Sequence, residues 1–221
     1  MTFLWQPPHF TAFFLSLIKF KIMKKLFLCT FLAISFSAFS QWNLPAASPR
    51  QTLTQQFSMS KITVDYGRPL IKGRKIFGEL VPFGKVWRAG ANSATKITFE
   101  QSVNFGGKTV AAGTYGLFII PQEKEWKIIL NKDAAQWGAF TYDEKLNVTD
   151  VTAPVQKLTE KQEAFEISIN PKDDSSADLI FKWDYTKVVI PLQTGNPTAV
   201  AKILEKLKEI KQIEKDAATQ K

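Results

Sequence analysis

Short runs in which apolar and polar side chains alternate restrict the fold of this chain more than any other feature. Alternation with a period of two is typical of β-strands that bury one face. Aromatic and β-branched residues fill many of the apolar positions, which strengthens the strand prediction. The runs occupy residues 61–66, 95–101, 114–120, 126–130, 163–169, 177–183 and 186–192.

Turn-forming residues separate these runs. Gly106-Gly107 and Ala112-Gly113 are two examples, and residues 121–124 and 171–176 are two longer polar turns. Short strands at this spacing are typical of antiparallel sandwiches and barrels. No helical period of useful length precedes residue 196. We therefore predict a mainly β fold, an antiparallel β-sandwich or barrel-like domain, over residues 61–195. A polar, extended segment is predicted before it, at residues 41–60.

The C-terminal segment, residues 196–221, is predicted to form one amphipathic α-helix. Asn196 is a favourable N-cap, and Pro197 suits the first helical position because that position needs no N–H donor. Apolar residues then recur at intervals of three and four, at positions 200, 203, 204, 207, 210 and 213. Such a stripe packs on the sheet or on a second copy of the chain, or it binds a protein partner. The sequence leaves these alternatives open.

The N-terminal part of the chain predicts export. Met23 is followed by two lysines and by a largely apolar run of 14 residues, from Leu26 to Phe39. A bilayer span needs about 20 apolar residues, so this run is typical of a signal peptide, residues 23–40. Small residues at positions 38 and 40 favour cleavage after Ser40. The processed chain is then expected in the periplasm or outside the cell, with no membrane span.

Residues 1–22 precede this complete signal. We interpret them as a misassigned upstream start, with translation beginning at Met23. The alternative is one long signal anchor from Phe10 to Phe39, but four lysines near its middle oppose a membrane span.

Cleavage would remove the only histidine and the only cysteine of the chain, His9 and Cys29. The processed chain would then lack the side chains for thiol and Ser-His-Asp catalysis, for His or Cys zinc sites, for haem and iron–sulfur ligation and for disulfides. We accordingly predict no cofactor and no metal site. Four lysines and no acid leave with the signal, so the net charge falls from +9 to +5.

The remaining positive charge is concentrated between Gly67 and Lys96. Seven basic residues lie there against one acid, Glu79, whereas the rest of the processed chain is nearly neutral. Aromatic residues and glycines are interleaved with the charges, so we expect a segment consisting largely of loops. The basic residues are Arg68, Lys72, Arg74, Lys75, Lys85, Arg88 and Lys96.

Arginine holds carboxylate and phosphate groups through paired hydrogen bonds. The predicted ligand-binding residues are therefore the basic and aromatic side chains of this segment and one turn asparagine: Arg68, Arg74, Lys85, Trp87, Arg88 and Asn92. The alternative is a solvated basic face whose arginines pair with acids elsewhere. In that alternative Arg88 forms a salt bridge with Asp65, Glu79 or Glu100, Trp87 is a core residue and Asn92 is only a turn former.

Several motifs in a fixed order also suggest a family. They are Tyr66-Gly-Arg-Pro69, Lys72-Gly-Arg-Lys-Ile-Phe-Gly78, Val81-Pro-Phe-Gly84, Val86-Trp-Arg-Ala-Gly-Ala-Asn92, Gly113-Thr-Tyr-Gly-Leu-Phe118 and Trp137-Gly138. With them, the chain resembles the secreted bacterial family called domain of unknown function 2911, from about residue 48 to about residue 192. The resemblance implies an exported β-rich domain, and it brings no established activity and no catalytic residues.

The function expected from these features is that of a non-catalytic binding or accessory module. Its ligand would be a carboxylate, a phosphate or an anionic glycan. Nucleic acid is not expected, because the protein is exported and carries no nucleic-acid-binding motif. One alternative is a glycan hydrolase that uses two carboxylates, drawn from Asp65, Glu79, Glu100 and Asp133. The other is a structural partner of an envelope protein, docked through the C-terminal helix.

Overall fold

The computed structural model describes residues 45–219. The predicted signal segment and the 22 residues before it lie outside this range. Ten strands form most of the described chain: β1 (Arg50–Phe57), β2 (Ser60–Gly67), β3 (Thr95–Phe99), β4 (Val103–Phe105), β5 (Lys108–Val110), β6 (Gly113–Pro121), β7 (Glu125–Asn131), β8 (Asn147–Pro154), β9 (Gln156–Pro171) and β10 (Ser176–Thr194). A helix, α1 (Pro197–Thr219), follows them, and a single 3₁₀ turn (Glu144–Leu146) precedes β8.

The strands form two antiparallel sheets. One has six strands in the order β1-β2-β3-β6-β7-β8, and the other has four in the order β5-β4-β10-β9. Each neighbouring pair is antiparallel. The prediction of a mainly β, antiparallel fold with one C-terminal helix is confirmed, and in the described residues the sheets do not close into a barrel.

The alternating pattern explains the position of the core. In β2, Ile62, Val64 and Tyr66 are buried, and in β9 Phe165 and Ile167 are buried on the side facing them. These apolar faces meet in one hydrophobic cluster, as the period of two requires. The ring of Tyr66 lies 5.8 Å from that of Phe165 in an edge-to-face contact. The two sheets therefore share one core.

Four differences from the sequence prediction concern strands. β1 lies inside the segment predicted to be only extended, and β8 was not predicted as a strand. Both are edge strands of the six-stranded sheet, so much of each is solvated and the apolar alternation is weak. The third difference is that β4 and β5 were not predicted, because strands of three residues are too short to show a period.

The fourth difference is that residues 177–183 and 186–192 form one strand, β10. The pairing with β9 is irregular around Asp184, whose φ is +53°, which explains the break in the sequence pattern.

The prediction of the C-terminal helix is also confirmed. Asn196 caps α1, because its Oδ1 accepts a hydrogen bond from the Ala199 N–H at 3.0 Å. Val200 is the one residue of α1 that is buried within the described chain. The other residues of the stripe are half-buried or exposed, so the first turns of α1 contact the sheets and the remainder extends beyond them. This helix is not apolar enough over its length to cross a membrane, and the described residues contain no other candidate.

Candidate binding site

The basic segment forms a long connection between β2 and β3. Residues 68–94 contain tight turns and isolated bridges, with no extended strand. The bridges join the segment to both sheets, because Leu70 pairs with Ala164 in β9 and Trp87 pairs with Ile119 in β6. The Trp87 N–H donates to the Ile119 carbonyl at 2.7 Å, and the Ile119 N–H donates back at 2.8 Å. A connection without regular strands is therefore fixed at several points.

Two glycines allow the turn at residues 87–92 to pack on the end of β2. A Cβ atom at Gly67 would lie 2.3 Å from the Ala91 carbonyl oxygen, and one at Gly90 would lie 2.8 Å from the Gly67 carbonyl oxygen. Distances below 3.0 Å do not occur between real atoms of these types. Both positions thus require glycine, and the Tyr66-Gly-Arg-Pro69 motif contacts the turn directly.

Hydrogen bonds from two buried donors also fix the turn at residues 87–92. The Thr95 hydroxyl donates to the Ala89 carbonyl at 2.6 Å, and the Trp87 indole N–H donates to the Gly90 carbonyl at 3.0 Å. Ala89 and Asn92 have positive φ angles of +49° and +64°, a conformation that costs energy for residues other than glycine. The surrounding contacts therefore determine the shape of this turn.

A pocket of about 250 Å³ opens beside the turn. Its polar side chains are Ser48, Arg74, Arg88 and Asn92, and its apolar side chains include Trp87 and Trp183. No carboxylate is among the residues that line it. The pocket is smaller than the sites of about 300–1,000 Å³ that hold drug-sized ligands, so its volume suits one small acidic group.

Aromatic residues make the floor of the pocket rigid. The rings of Trp87 and Trp183 are stacked, with centroids 5.7 Å apart and planes 17° apart. Phe165 packs against both, at centroid distances of 4.9 and 5.6 Å. Both tryptophans are more than 90% buried, and aromatic contacts of this kind contribute about 0.5–1.5 kcal/mol each beyond area burial. The interpretation of Trp87 as a core residue is therefore correct, although the same ring also lines the pocket.

Arg88 is the most informative residue of the pocket. Its side chain is half-buried, and its Nε is buried without a hydrogen-bond acceptor in the described residues. Removal from water lowers the pKa of the Arg88 guanidinium from its ordinary value, but an arginine keeps its charge in proteins. A buried charged donor with no acceptor is unfavourable by itself. Because the Arg88 side chain lines the pocket, a ligand anion there would supply an acceptor for its guanidinium.

The alternative partners of Arg88 are bound elsewhere. Asp65 lies 2.8 Å from Arg50, and Glu79 lies 3.2 Å from Lys75. Glu100 accepts a hydrogen bond from the Lys61 N–H at 3.0 Å. Within residues 45–219, no carboxylate lies within 4.0 Å of Arg88, so the salt bridge of the alternative interpretation does not form there.

Arg74 approaches the same pocket from a neighbouring turn. Its Nε donates to the Ile71 carbonyl at 3.0 Å, and its Nη2 donates to the Leu70 carbonyl. These bonds orient the side chain and leave part of the guanidinium available to solvent. No acid of the described chain forms an ion pair with Arg74. The pocket thus combines two arginines with no internal counter-charge.

Four of the six predicted ligand-binding residues line this pocket: Arg74, Trp87, Arg88 and Asn92. The other two do not. Arg68 directs its Nε to the Phe165 carbonyl at 3.2 Å, which places it in the packing between the loop and β9. Lys85 is exposed and lies outside the lining.

Sequence reasoning missed Ser48 and Trp183, which also line the pocket. Ser48 precedes β1, and Trp183 lies in β10, about 90 residues beyond the basic segment. The alternation in residues 177–183 indicated that Trp183 faces the core. Nothing local in the sequence indicated which part of the core it would meet.

The carboxylates considered for the hydrolase alternative lie outside the pocket. Asp133 accepts a hydrogen bond from the Ala135 N–H at 3.1 Å within its own loop. Asp65, Glu79 and Glu100 have the partners given above. None of the four belongs to the pocket lining.

A larger concavity, of about 330 Å³, lies between α1 and the β9–β10 turn. Val200 and Leu204 line it together with Asp173, Asp174 and Lys208. Hydrogen bonds from Ser176 and Ser175 lower the pKa of Asp173 to about 2. These groups satisfy one another in an exposed polar loop, so this concavity lacks the unpartnered charge that distinguishes the Arg88 pocket.

A comparison with protein-family profiles matches residues 48–192 to the family described as a protein of unknown function, DUF2911. The chain belongs to the DUF2911 family. This confirms the resemblance that the motifs indicated, and over the same residues. Neither a search of curated proteins nor a search of solved structures finds a match. Every residue that lines the Arg88 pocket falls within the DUF2911 match, whereas α1 falls outside it.

Proposed function

We propose that this chain is an exported, non-catalytic binding module. Its ligand would carry a carboxylate or a phosphate, either as a small molecule or as part of an anionic glycan. The processed protein would act in the periplasm or outside the cell, as its predicted signal peptide suggests. One observation carries the proposal: the Arg88 guanidinium lines a pocket and has no carboxylate partner in the described residues, and its buried Nε has no acceptor there.

The surroundings of Arg88 support an anion rather than a neutral ligand. Arg74 adds a second guanidinium, and Ser48 and Asn92 add neutral donors. Charge-assisted hydrogen bonds to carboxylate or phosphate are about twice as strong as neutral ones. Because the lining contains no carboxylate, a bound anion would meet no like charge there.

The same features favour binding over hydrolysis. A glycan hydrolase with two carboxylates needs them about 5–9.5 Å apart across the reacting bond. The Arg88 pocket supplies positive charge instead of an acid–base pair, which suits recognition of an acid.

The test is a thermal-shift screen of the purified protein with phosphates, dicarboxylates and acidic sugars at about 0.15 M salt, where open surface charges are partly screened. A ligand at a hundred times its Kd adds about 2.7 kcal/mol to the free energy of unfolding. We expect Arg88→Met to abolish the ligand-induced shift. Lys85→Met is the matched control, because it removes one charge from an exposed side chain outside the lining.

A second readout separates a ligand role from a structural role. Because Arg88 has no internal acceptor in the described residues, Arg88→Met should melt at the temperature of the wild type or above it when no ligand is present. A marked fall in that temperature would indicate a structural arginine. An equal loss of the ligand-induced shift in Lys85→Met would indicate unspecific surface charge, and either result would overturn the proposal.

The exposed face of α1 favours a second candidate function, the docking of a protein partner. Ile203, Leu207, Ile210 and Ile213 are each 45% or more exposed, and contiguous apolar surface often marks an interaction site. A sedimentation coefficient that rises with protein concentration, and no longer does so in Leu207→Asp, would support self-association through this face. A constant value for the wild type would exclude self-association over the concentrations used.

A further inference from the structure

Two aromatic side chains stand in solvent on the β7–β8 connection. Trp137 is 64% exposed and Phe140 is 84% exposed, which makes them the two most exposed aromatic residues of the described chain. Burying such a side chain is worth several kcal/mol, so most proteins cover them. A pair of exposed aromatic rings close together in sequence indicates a surface that another molecule covers.

The connection is held in place, so the exposure does not result from a loose loop. Asn131 is fully buried at the start of the connection, and its Nδ2 donates to the Asp143 carbonyl at 2.9 Å and to the Asn147 Oδ1 at 2.8 Å. At the other end, the ring of Tyr142 packs 5.1 Å from that of Phe118. Buried polar networks of this kind rigidify the backbone that they join.

The Phe140 ring packs on the backbone that follows Trp137. Gly138 has a φ of +71°, and a Cβ atom there would lie 2.8 Å from the Phe140 ring. The Phe140 ring therefore covers the backbone next to Trp137. This contact and the positive φ explain why glycine follows Trp137 in the Trp137-Gly138 motif.

This aromatic pair is joined to the Arg88 pocket through Asn92. The Gly138 N–H donates to the Asn92 carbonyl at 3.1 Å, and Ser93 forms a β-bridge with Trp137. Asn92 itself lines the pocket. One peptide segment thus connects the basic pocket to the aromatic pair, with no intervening element.

We infer that Trp137 and Phe140 form a stacking platform for the sugar ring next to an acidic sugar bound in the Arg88 pocket. This inference rests on the proposed function and narrows the ligand to an acidic oligosaccharide. The faces of a pyranose ring carry C–H groups, which the electron-rich faces of aromatic rings attract. A pocket of about 250 Å³ has room for about one acidic sugar, so the rest of a longer chain would lie outside it. The aromatic pair is an exposed surface joined to the pocket through Asn92 and Ser93.

The test compares monomers with tetramers of acidic sugars by isothermal titration calorimetry. The probes are galacturonic and mannuronic acid, their tetramers, and a hyaluronan tetrasaccharide. We expect at least one tetramer to bind ten or more times as tightly as its monomer. The Trp137→Ala/Phe140→Ala double variant should reduce that affinity to the level of the monomer and leave the monomer affinity unchanged.

Two further variants distinguish stacking from a structural role. Trp137→Phe retains an aromatic face and should retain most of the tetramer affinity. Met59→Ala removes a side chain of 45% exposure from the β1–β2 turn, at the end of β2 remote from Gly67, and should change neither affinity. Because both aromatic residues are exposed, the double variant should melt at the temperature of the wild type.

The outcomes separate this inference from the proposed function. If acidic monomers or phosphate bind through Arg88 but no tetramer binds more tightly than its monomer, the inference of a stacking platform is wrong. The proposed anion site at Arg88 is then still supported. The same conclusion follows if the double variant retains the tetramer affinity. If no anion binds at all, the proposed function fails and the platform fails with it.

Discussion

At the scale of single residues, Tyr66 joins the two sheets through its hydroxyl group. The hydroxyl accepts a hydrogen bond from the Ile167 N–H in β9 at 3.0 Å, and it donates to the Gln51 Oε1 in β1 at 3.2 Å. Tyr66→Phe leaves the buried Ile167 donor without this acceptor, at a cost of about 1–3 kcal/mol. We expect the free energy of unfolding in urea to fall by about that amount.

The control is Tyr185→Phe. The Tyr185 side chain is 45% exposed, and its hydroxyl makes no hydrogen bond within the described residues, so the free energy of unfolding should change by no more than about 0.5 kcal/mol.

Burial raises the pKa of Tyr66 above its ordinary value of 10.0. The unfolded chain thus loses this proton first as the pH rises, and the contribution of Tyr66 declines above about pH 10. Equal stability of Tyr66→Phe and wild type at pH 7 would contradict the sheet-joining role.

The residue types of the pocket could be predicted from the sequence, but their partners could not. Arginines, glycines and aromatic residues in one segment indicated an anion site, and four of the predicted residues share a pocket. Whether Arg88 has an acceptor depends on acids that are distant in sequence. Arg68 and Lys85 carry the same charge as Arg88, but Arg68 donates to the Phe165 carbonyl in β9 and Lys85 is exposed outside the pocket lining.

At the scale of elements, α1 contributes little of its apolar surface to the core. Leu207 is 45% exposed, whereas Leu179 in β10 is fully buried. We expect Leu207→Ala to change the free energy of unfolding by no more than about 0.5 kcal/mol, and Leu179→Ala to lower it by about 2–5 kcal/mol. Chemical denaturation at low protein concentration measures both.

A fall of more than about 2 kcal/mol in the free energy of unfolding of Leu207→Ala would contradict the exposed position of this helix face. If that loss appeared only at high protein concentration, a second copy of the chain would be covering the face, since association stabilises the folded state by mass action. The comparison of Leu207 with Leu179 therefore tests the fold of α1 and its association separately.

Element prediction succeeded for the longer strands with at least one buried face, and it failed for the edge strands β1 and β8 and for the three-residue strands β4 and β5. The central strands β2 and β3 alternate because the core covers one side of each, whereas β6 and β7 are apolar runs buried on both faces. The edge strands β1 and β8 bury less, so Thr, Gln and Asp occupy positions that a central strand would fill with apolar residues. The cap at Asn196 was predictable because it depends on neighbours in sequence only.

At the scale of the whole molecule, Asp150 connects the two sheets by charge. Its carboxylate, in β8, lies 2.8 Å from Lys127 in β7 and 3.0 Å from Lys108 in β5. Lys108 belongs to the four-stranded sheet and the other two residues belong to the six-stranded sheet. Nearby, the β4–β5 turn contacts β8 closely, because a Cβ atom at Gly106 would lie 2.6 Å from a methyl group of Val151.

We expect Asp150→Asn to lower the free energy of unfolding at pH 7 by up to about 1 kcal/mol, since the three side chains are partly exposed and each such pair is worth about 0.2–1 kcal/mol. The hydrogen bond from Lys127, and then that from Lys108, lowers the pKa of Asp150 below its ordinary value of 3.8. The contribution is therefore complete above about pH 4 and is lost as the pH falls through the lowered pKa. At 1 M salt the contribution of Asp150 to the free energy of unfolding should shrink, because the Debye length falls to about 3 Å.

Glu79→Gln is the control. It breaks a more exposed ion pair within one loop and should lower the free energy of unfolding less than Asp150→Asn does. Urea unfolding of the wild type and both variants from pH 2 to 7 measures these free energies. If the wild type and Asp150→Asn still differed by the same free energy of unfolding at pH 2, the charge of Asp150 would not be what connects the sheets.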